Sequence, residues 1–304
     1  MRVSIIIVNF NTYKLTRNCL RSVFEHTRDI TFEVILVDNN SNECDPDIFS
    51  VEFPEIILIK STINRGFAGG NNLGIAEAKG DYILLLNSDT VLMNNAVLIA
   101  VQEFQKDVTI GALSGKLIYP DGKLQGVAGR FPSIKNEWKE LFRLNVFESE
   151  QKRAERLLGD CWDYSKETEA DWVWGTFFLI SRAVLNRFPD KKLHEDFFMY
   201  FEDVLWCYFI KKKLKLKIVY RPAPVIIHYL SGSSQNKDPK ENFRNKMLPN
   251  ECLFLIKNHN KFYAVLYYFI KGLHCLSLRK PENIRDALYY FRFIHLNILK
   301  RTAI

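Results

Sequence analysis

The run Leu84-Leu85-Leu86-Asn87-Ser88-Asp89 sets an apolar strand directly before an Asn-x-Asp pair. Side chains alternate along an extended chain, so Asn87 and Asp89 fall on one side. Both could face a diphosphate-bound divalent ion, a hard cation that takes oxygen ligands. A strand-ending Asx turn uses the same residue types. Further on, Glu202 and Asp203 follow an aromatic run, Phe197 to Phe201, and precede Val204-Leu205-Trp206, where a helix starts. A carboxylate there could be no more than a helix cap, worth about 1 kcal/mol. In a partly dry cleft, however, its pKa is tuned upward and it can act as a general base. His194, Glu195 and Asp196 just upstream read as surface charge.

Three further stretches carry weaker signals. Asn64 to Gly74, NRGFAGGNNLG, is glycine-rich and opens a helix, which suits close backbone approach and an anion at the helix N-terminus. Its spacing is neither a dinucleotide fingerprint nor a Walker A loop, so a nicotinamide oxidoreductase and a P-loop ATPase lose support. His228 ends a strand, where a structural role is the commoner one; the Ser231 to Ser234 turn after it could offer hydroxyls and N–H groups to an anion. Trp172-Val173-Trp174-Gly175 fits either a sugar-stacking platform or core packing.

The elements that must position these residues alternate. Val3–Val8, Phe32–Val37, Ile56–Ile59 and Tyr82–Leu86 are β-rich runs of strand length, and helical spacing recurs between them. Such alternation predicts right-handed βαβ units and a mostly parallel sheet covered on both faces, with ligands beyond the carboxyl ends of the strands. Polar residues collect at that edge: Asn9 and Asn11, Asp38 to Ser41, Asn64 to Gly74, and Asn87 to Asp89. Residues 120–170, with a YPDG turn at Tyr119–Gly122, read as an irregular insertion or lid. A helix is expected near Asp203–Lys213, separate strands near Leu216–Tyr220 and Val225–Tyr229, and three helices after them. The natural division is a catalytic body over 1–250 and a helical tail over 251–304.

The chain has 304 residues, 47% hydrophobic and 25% charged, an ordinary folded composition. The net charge of +7 lies wholly from Lys257 onward, where nine basic residues face two acidic ones. The body is therefore neutral, which argues against nucleic acid as a partner of the whole chain. Nine aromatic residues interleave with the tail's charges, a pattern that fits stacking on single-stranded nucleic acid and equally a helix lying on an anionic bilayer interface. Solvated helices docked on the body would look similar. Six cysteines without a CxxC pair suggest a reducing cytoplasm rather than zinc or a disulfide framework. The N-terminal apolar run is too short for a signal peptide, and no stretch is long and apolar enough to span a membrane.

Taken in order, these motifs resemble the family-2 glycosyltransferases of the GT-A fold, in particular the bacterial branch of rhamnosyltransferases that build O-antigen and cell-wall polysaccharides. The resemblance runs from Val3 to about Ser234. It implies an α/β architecture, the GT-A nucleotide-diphospho-sugar transferase fold, with a Rossmann-like mixed, mostly parallel sheet flanked by helices and followed here by a C-terminal helical tail. It implies a nucleoside pocket of Asn9, Asn11 and Asp38, with Asp38 on the uracil or thymine ring. Asn64, Gly69, Asn71, Asn87 and Ser88 would line the nucleotide sugar. Asp89 stands where the metal-binding DxD motif ends, and Asn87 where its first acid would be, which leaves Asp89 as the main acidic ligand. His228 resembles the later histidine that helps hold metal and diphosphate. Asp203 resembles the catalytic base, with Trp174, Gly175 and Glu202 on the acceptor side. The resemblance thus implies an inverting hexosyltransferase that uses Mg2+ or Mn2+. Its partners would be a dTDP- or UDP-linked sugar, rhamnose-type first, a saccharide acceptor that is commonly lipid-linked, and an anionic membrane surface. Its location would be cytoplasmic, peripheral at the inner face of the cell membrane; a homodimer is compatible with it.

Two competing readings differ in their residues. A sugar nucleotidyltransferase carries a glycine-rich loop with a basic residue after the first strand, where this chain has Asn9-Phe10-Asn11-Thr12. A non-catalytic sugar-nucleotide-binding subunit of a polysaccharide complex would not need an intact Asp203.

Overall fold

Val3, Ile5, Ile6 and Ile7 have no exposed surface. Three of these four β-branched side chains follow one another, so both faces of their strand are covered, as a parallel sheet requires. The computed structural model describes residues 1–230 and 243–299. In it, β1 (Arg2–Asn9), β2 (Thr31–Asp38), β3 (Ile57–Lys60) and β4 (Tyr82–Asn87) are joined through α1 (Tyr13–His26), α2 (Asp47–Glu52) and α3 (Gly66–Glu77). Their pairings are parallel and in register at the carboxyl edge, where Asn9 lies opposite Asp38 and Val8 opposite Asn87. α3 packs close because it carries glycine where it crosses the sheet: a Cβ on Gly74 would lie 2.5 Å from Ile6 Cγ2.

The second half is mixed. After β5 (Thr90–Leu92), α4 (Ala96–Gln105) and β6 (Ile110–Ile118) come the short strands β7 (Ala128–Gly129), β8 (Thr168–Ala170) and β9 (Trp172–Val173). β10 (Phe177–Ser181), α7 (Arg182–Leu185), α8 (Glu202–Tyr208) and β11 (Lys217–His228) follow. The strand order is β3-β2-β1-β4-β10-β6-β11-β5, with β8 also on β11, while β7 and β9 pair separately. β10 runs antiparallel between β4 and β6, so its start, not its end, meets the carboxyl edge of β4. β11 is parallel to β6 and brings His228 to that same edge. The two separate strands expected near residues 216–229 are one strand with a register shift between Tyr220 and Val225. Pro222 and Pro224 lie in the shift; lacking N–H groups, they interrupt the ladder without ending the strand.

The described residues form two compact units, 1–130 with 157–230, and 131–156 with 243–299. The stretch that read as irregular contains α5 (Ile134–Leu141) and α6 (Glu150–Leu157). α5 packs on α10 (Lys261–Ser277), which follows α9 (Leu248–Asn258) and precedes α11 (Pro281–Phe293). Inside this second unit, Glu251 accepts from the Tyr267 and Tyr268 hydroxyls at 3.2 and 3.1 Å. The Lys271 ammonium donates to the Tyr267 hydroxyl at 3.1 Å and sits 5.7 Å from the Tyr290 ring centre. One of the tail's nine basic residues is thus neutralised within the helices. No helix among the described residues is long and apolar enough to cross a membrane.

Candidate active site

At the ends of β1 and β2, Asn9 Nδ2 donates to Asp38 Oδ1 at 2.9 Å and to Ser41 Oγ at 3.0 Å, while the Ser41 N–H caps Asp38 Oδ2 at 3.1 Å. Asn9 and Asp38 are both buried. Asn9 Oδ1 accepts from the Thr12 and Thr16 hydroxyls at 3.0 and 2.8 Å. With its proton so used, Thr12 accepts from Ser88 Oγ at 3.1 Å, which ties the β1–β2 end to the end of β4. Asn11 adopts a left-handed φ of 53° and receives the Asn42 N–H on its Oδ1 at 2.9 Å.

The glycine-rich run begins α3 through a tight turn. Gly66 has φ +70°, and a Cβ there would lie 2.1 Å from the Phe198 carbonyl oxygen, so no larger residue fits. Asn64 Oδ1 receives Asn39 Nδ2 and the Gly66 N–H, both at 2.9 Å. Asn39, Asn64, Gly66, Asn87, Ser88 and Asp89 line one cleft, with Phe67 on its wall. Asn71 is buried in α3 with its amide on the Phe67 carbonyl at 2.9 Å, and Gly69 lies one turn along the helix from Arg65, so neither is among the cleft-lining residues.

At the far end of the cleft, Asp89 Oδ1 lies 3.3 Å from His228 Nε2. The antiparallel pairing of β5 with β11 sets this distance, with Thr90 opposite His228 and the Tyr229 N–H on the Asp89 carbonyl at 3.0 Å. The Trp174 ring meets the His228 ring edge-on, with centroids 6.1 Å apart. Among the described residues no cluster of three or more His, Cys, Asp or Glu side chains forms a ready metal cage. An Asp oxygen and a His nitrogen 3.3 Å apart do match neighbouring ligands of an octahedral ion, whose bonds of about 2.1 Å put adjacent donors about 3 Å apart. Asn87 Oδ1 on the same cleft wall is buried with no hydrogen-bond partner, a further unclaimed oxygen. These residues therefore fit a divalent cation.

Asp203 is held differently. Tyr200 and Phe201 both take left-handed φ angles, 70° and 79°, just before α8. Two such non-glycine residues cost about 1–3 kcal/mol each, and strain of this kind concentrates at functional sites. The turn sets Asp203 Oδ2 to accept the Gly175 N–H at 3.0 Å and Oδ1 its neighbour Val204 N–H at 2.8 Å. Burial pushes the Asp203 carboxyl up to about 6 against the pull of these N–H groups. Glu202, buried with Oε2 unpartnered, is pushed up to about 8, first by burial and then by the charge of Asp203. Both carboxyls are thus raised, and Glu202, the more deeply buried, is raised the further.

The two carboxylate sites are linked through a short stretch of main chain. Gly175 contacts Asp203, and the next residue, Thr176, receives the Asn87 N–H on its carbonyl at 2.9 Å. A Cβ on Gly175 would lie 2.7 Å from the Phe67 ring, which explains glycine at this crossing. Thr12, Asn39, Phe67, Thr176 and Gln125 all belong to this constellation; Asn39 and Phe67 fell inside the polar strand-end run and the glycine-rich run without being assigned a role. Thr12 follows Asn11 directly and could have been found there. Thr176 and Gln125 carry no local signal. The Ser231–Ser234 turn lies outside the described residues.

A sequence profile described as glycosyl transferase family 2 matches residues 4–162. The chain is 33% identical over 123 residues to the poly(ribitol-phosphate) beta-glucosyltransferase of Bacillus spizizenii, a match covering 38% of this chain and 19% of that protein. Two further glycosyltransferases, from Streptococcus pneumoniae and Bacillus subtilis, are 29% and 26% identical over 38% and 45% of their own lengths, so the chain spans less than half the length of these relatives. Over 284 residues, 92% of this chain and 98% of the other, it is 23% identical to WfaP of Escherichia coli, a UDP-Glc:alpha-D-GlcNAc-diphosphoundecaprenol beta-1,3-glucosyltransferase. Among solved structures it resembles GalNAc-T7 with UDP, GalNAc and Mn2+, with a TM-score of 0.62 and 14% identity over 98% of this chain and 57% of that one. At that identity the likeness concerns the GT-A fold. The profile match spans more than half of the residues and includes the ends of β1, β2 and β4; the chain belongs to glycosyl transferase family 2.

Proposed function

We propose that the protein is a metal-dependent inverting glycosyltransferase that moves a sugar from a pyrimidine nucleoside diphosphate to a hydroxyl of a lipid-linked saccharide in cell-surface polysaccharide synthesis. The observation that carries this reading is a desolvated carboxylate, Asp203, whose oxygens are fixed by main-chain N–H groups at 3.0 and 2.8 Å beside the cleft that holds Asp89. Such a group is oriented, raised toward neutrality and only partly exposed to water, as suits a general base. Asp203 takes the proton of the acceptor hydroxyl as that oxygen bonds to the anomeric carbon. The bond from that carbon to the diphosphate oxygen breaks on the opposite face, so one displacement inverts the centre. Protonated Glu202 offers its O–H to the acceptor, and Trp174 forms part of the acceptor wall. Asp38 takes the base; Asn9, Asn11, Asn64, Asn87 and Ser88 shape the donor pocket, and Gly69 and Asn71 act from behind it, within α3. Asp89 and His228 hold Mg2+ or Mn2+, which when bound neutralises charge developing on the departing diphosphate.

The Bacillus spizizenii and Escherichia coli relatives are both named as glucosyltransferases and the second as using UDP-Glc, which puts UDP-glucose ahead of dTDP-rhamnose for a first trial. The lipid-linked acceptor rests on the name of the full-length relative. Transfer is assigned to 1–250 and a peripheral role at the inner membrane face to 251–304. In support, α10 exposes Phe262, Phe269 and Leu276 at seven-residue intervals, and α11 exposes Ile284 and Leu288 beside Arg285. Apolar stripes with basic flanks suit an anionic bilayer interface. The test is a screen of UDP- and dTDP-sugars for metal-dependent release of nucleoside diphosphate, repeated with Asp203→Asn. Release by wild type that is lost in the variant is expected; transfer at wild-type rate by Asp203→Asn would sink the assignment of the base.

A further inference from the structure

Gln125 and His228 are both buried, 2% and 4% exposed, and they are joined twice. Gln125 Nε2 donates to the His228 main-chain carbonyl at 2.7 Å, and His228 Nδ1 lies 2.9 Å from Gln125 Oε1. A carbonyl oxygen only accepts, so the first bond decides which end of the amide is NH2. The other end is then an acceptor, and Nδ1 must carry a proton to meet it. Nε2 is left to face Asp89 Oδ1 at 3.3 Å.

The placement of Gln125 comes from the YPDG turn. Gly122, at φ +84°, closes the turn on the Tyr119 carbonyl at 2.9 Å, and the Tyr119 N–H bonds the Lys123 carbonyl at 2.7 Å. The returning chain anchors the Gln125 N–H on the Leu117 carbonyl at 3.0 Å. Because Ile118 of β6 is in register with Ile227 of β11, Gln125 arrives beside His228. The residue type is demanding: the position needs one donor and one acceptor an amide width apart. A leucine supplies neither, and a glutamate would set a carboxylate oxygen against the His228 carbonyl.

We propose that Gln125 is a positioning residue of the transfer site, holding the His228 ring as the Nδ1–H tautomer so that Nε2 and Asp89 Oδ1 face the divalent cation of a bound nucleoside diphosphate together. The inference rests on the reading of Asp89 and His228 as the cation pair. Partners of this kind that orient a ligating imidazole typically change metal affinity by about 10–100-fold when removed.

The test uses the full chain labelled with 15N-histidine and free of metal. Long-range 1H–15N correlation, with His228 assigned by a His228→Gln control, is expected to show its proton on Nδ1. In Gln125→Leu the Nδ1–H form should lose its dominance, and UDP affinity measured calorimetrically with Mn2+ should fall about tenfold or more, while UDP affinity in EDTA stays unchanged. Should the leucine variant fail to fold, Gln125→Glu keeps the acceptor for Nδ1–H and removes only the donor; it should retain the Nδ1–H tautomer. An Nε2–H tautomer in the wild type, or full Mn2+ enhancement of UDP binding in Gln125→Leu, overturns this inference alone. A wild type whose UDP affinity does not respond to Mn2+ overturns the cation reading and this inference with it.

Discussion

Asp89 lies in the turn between β4 and β5 facing a histidine ring, with Nε2 3.3 Å from its Oδ1, whereas Asp203 lies in the first turn of a helix with its oxygens on the Gly175 and Val204 N–H groups. The first is surrounded by groups that can share a cation: an imidazole, an unclaimed Asn87 oxygen and a serine hydroxyl on the same cleft. The second is desolvated, and burial raises its pKa. Identical side chains in one unit thus have different surroundings, which under the proposed function suit one to a metal ion and the other to a proton. The difference lies in what surrounds each carboxylate, since both lie near the same sheet edge and are joined through Gly175 and Thr176.

If that contrast is right, removing each carboxylate should damage a different step. The largest effect is expected from Asp203→Asn, which should lower transfer by about a thousandfold while UDP binding, measured by calorimetry, persists. Asp89→Ala should instead lower Mn2+-dependent UDP affinity by about 10–100-fold, in the range seen when a metal site loses a supporting group; equal affinities with and without the ion in both proteins would remove Asp89 from the metal site. The pH profile sharpens the distinction. A base works only when ionised, and Asp203 is raised to about 6, so kcat/KM should fall about tenfold per unit as pH drops below that value. A profile flat down to pH 4.5 would return Asp203 to an ordinary solvated carboxylate. Gly175→Ala places a Cβ 2.7 Å from the Phe67 ring and should shift the N–H that holds Asp203, costing about tenfold in kcat with little change in UDP affinity. The smallest effect concerns the second unit: Arg285→Gln should weaken binding to anionic liposomes by about 1 kcal/mol and leave transfer to a soluble acceptor unchanged. Co-sedimentation unaffected by the substitution and by added salt would detach the tail from the membrane role.

Much of the first half was legible because its signals are local. Three buried strands, β1, β2 and β4, and the half-exposed edge strand β3 announce themselves through β-branched and apolar runs, and a parallel sheet places the residues after each strand on one edge. Asn9, Asp38, Asn64, Asn87 and Asp89 stand at or just after such ends. The second half was less legible because its determinants are distant. The pairing of Gln125 with His228 spans 103 residues, and neither residue's neighbours in the chain predict it. The antiparallel insertion of β10 between β4 and β6 is likewise decided by sheet closure, not by the periodicity of Phe177 to Ser181, which would suit either direction. Nor does the charged composition of 131–156 reveal that α5 packs on α10.

By itself the sequence determined the residue types at each strand end, the aromatic run before Glu202 and Asp203, and the confinement of net charge to the last helices, because composition and short-range period are properties of contiguous residues. Only the tertiary structure decided that Gly175 gives its N–H to Asp203, that His228 faces Asp89 and that Gln125 governs the ring between them. Those outcomes depend on strand direction, register and burial, which arise when segments far apart in the chain exclude water together.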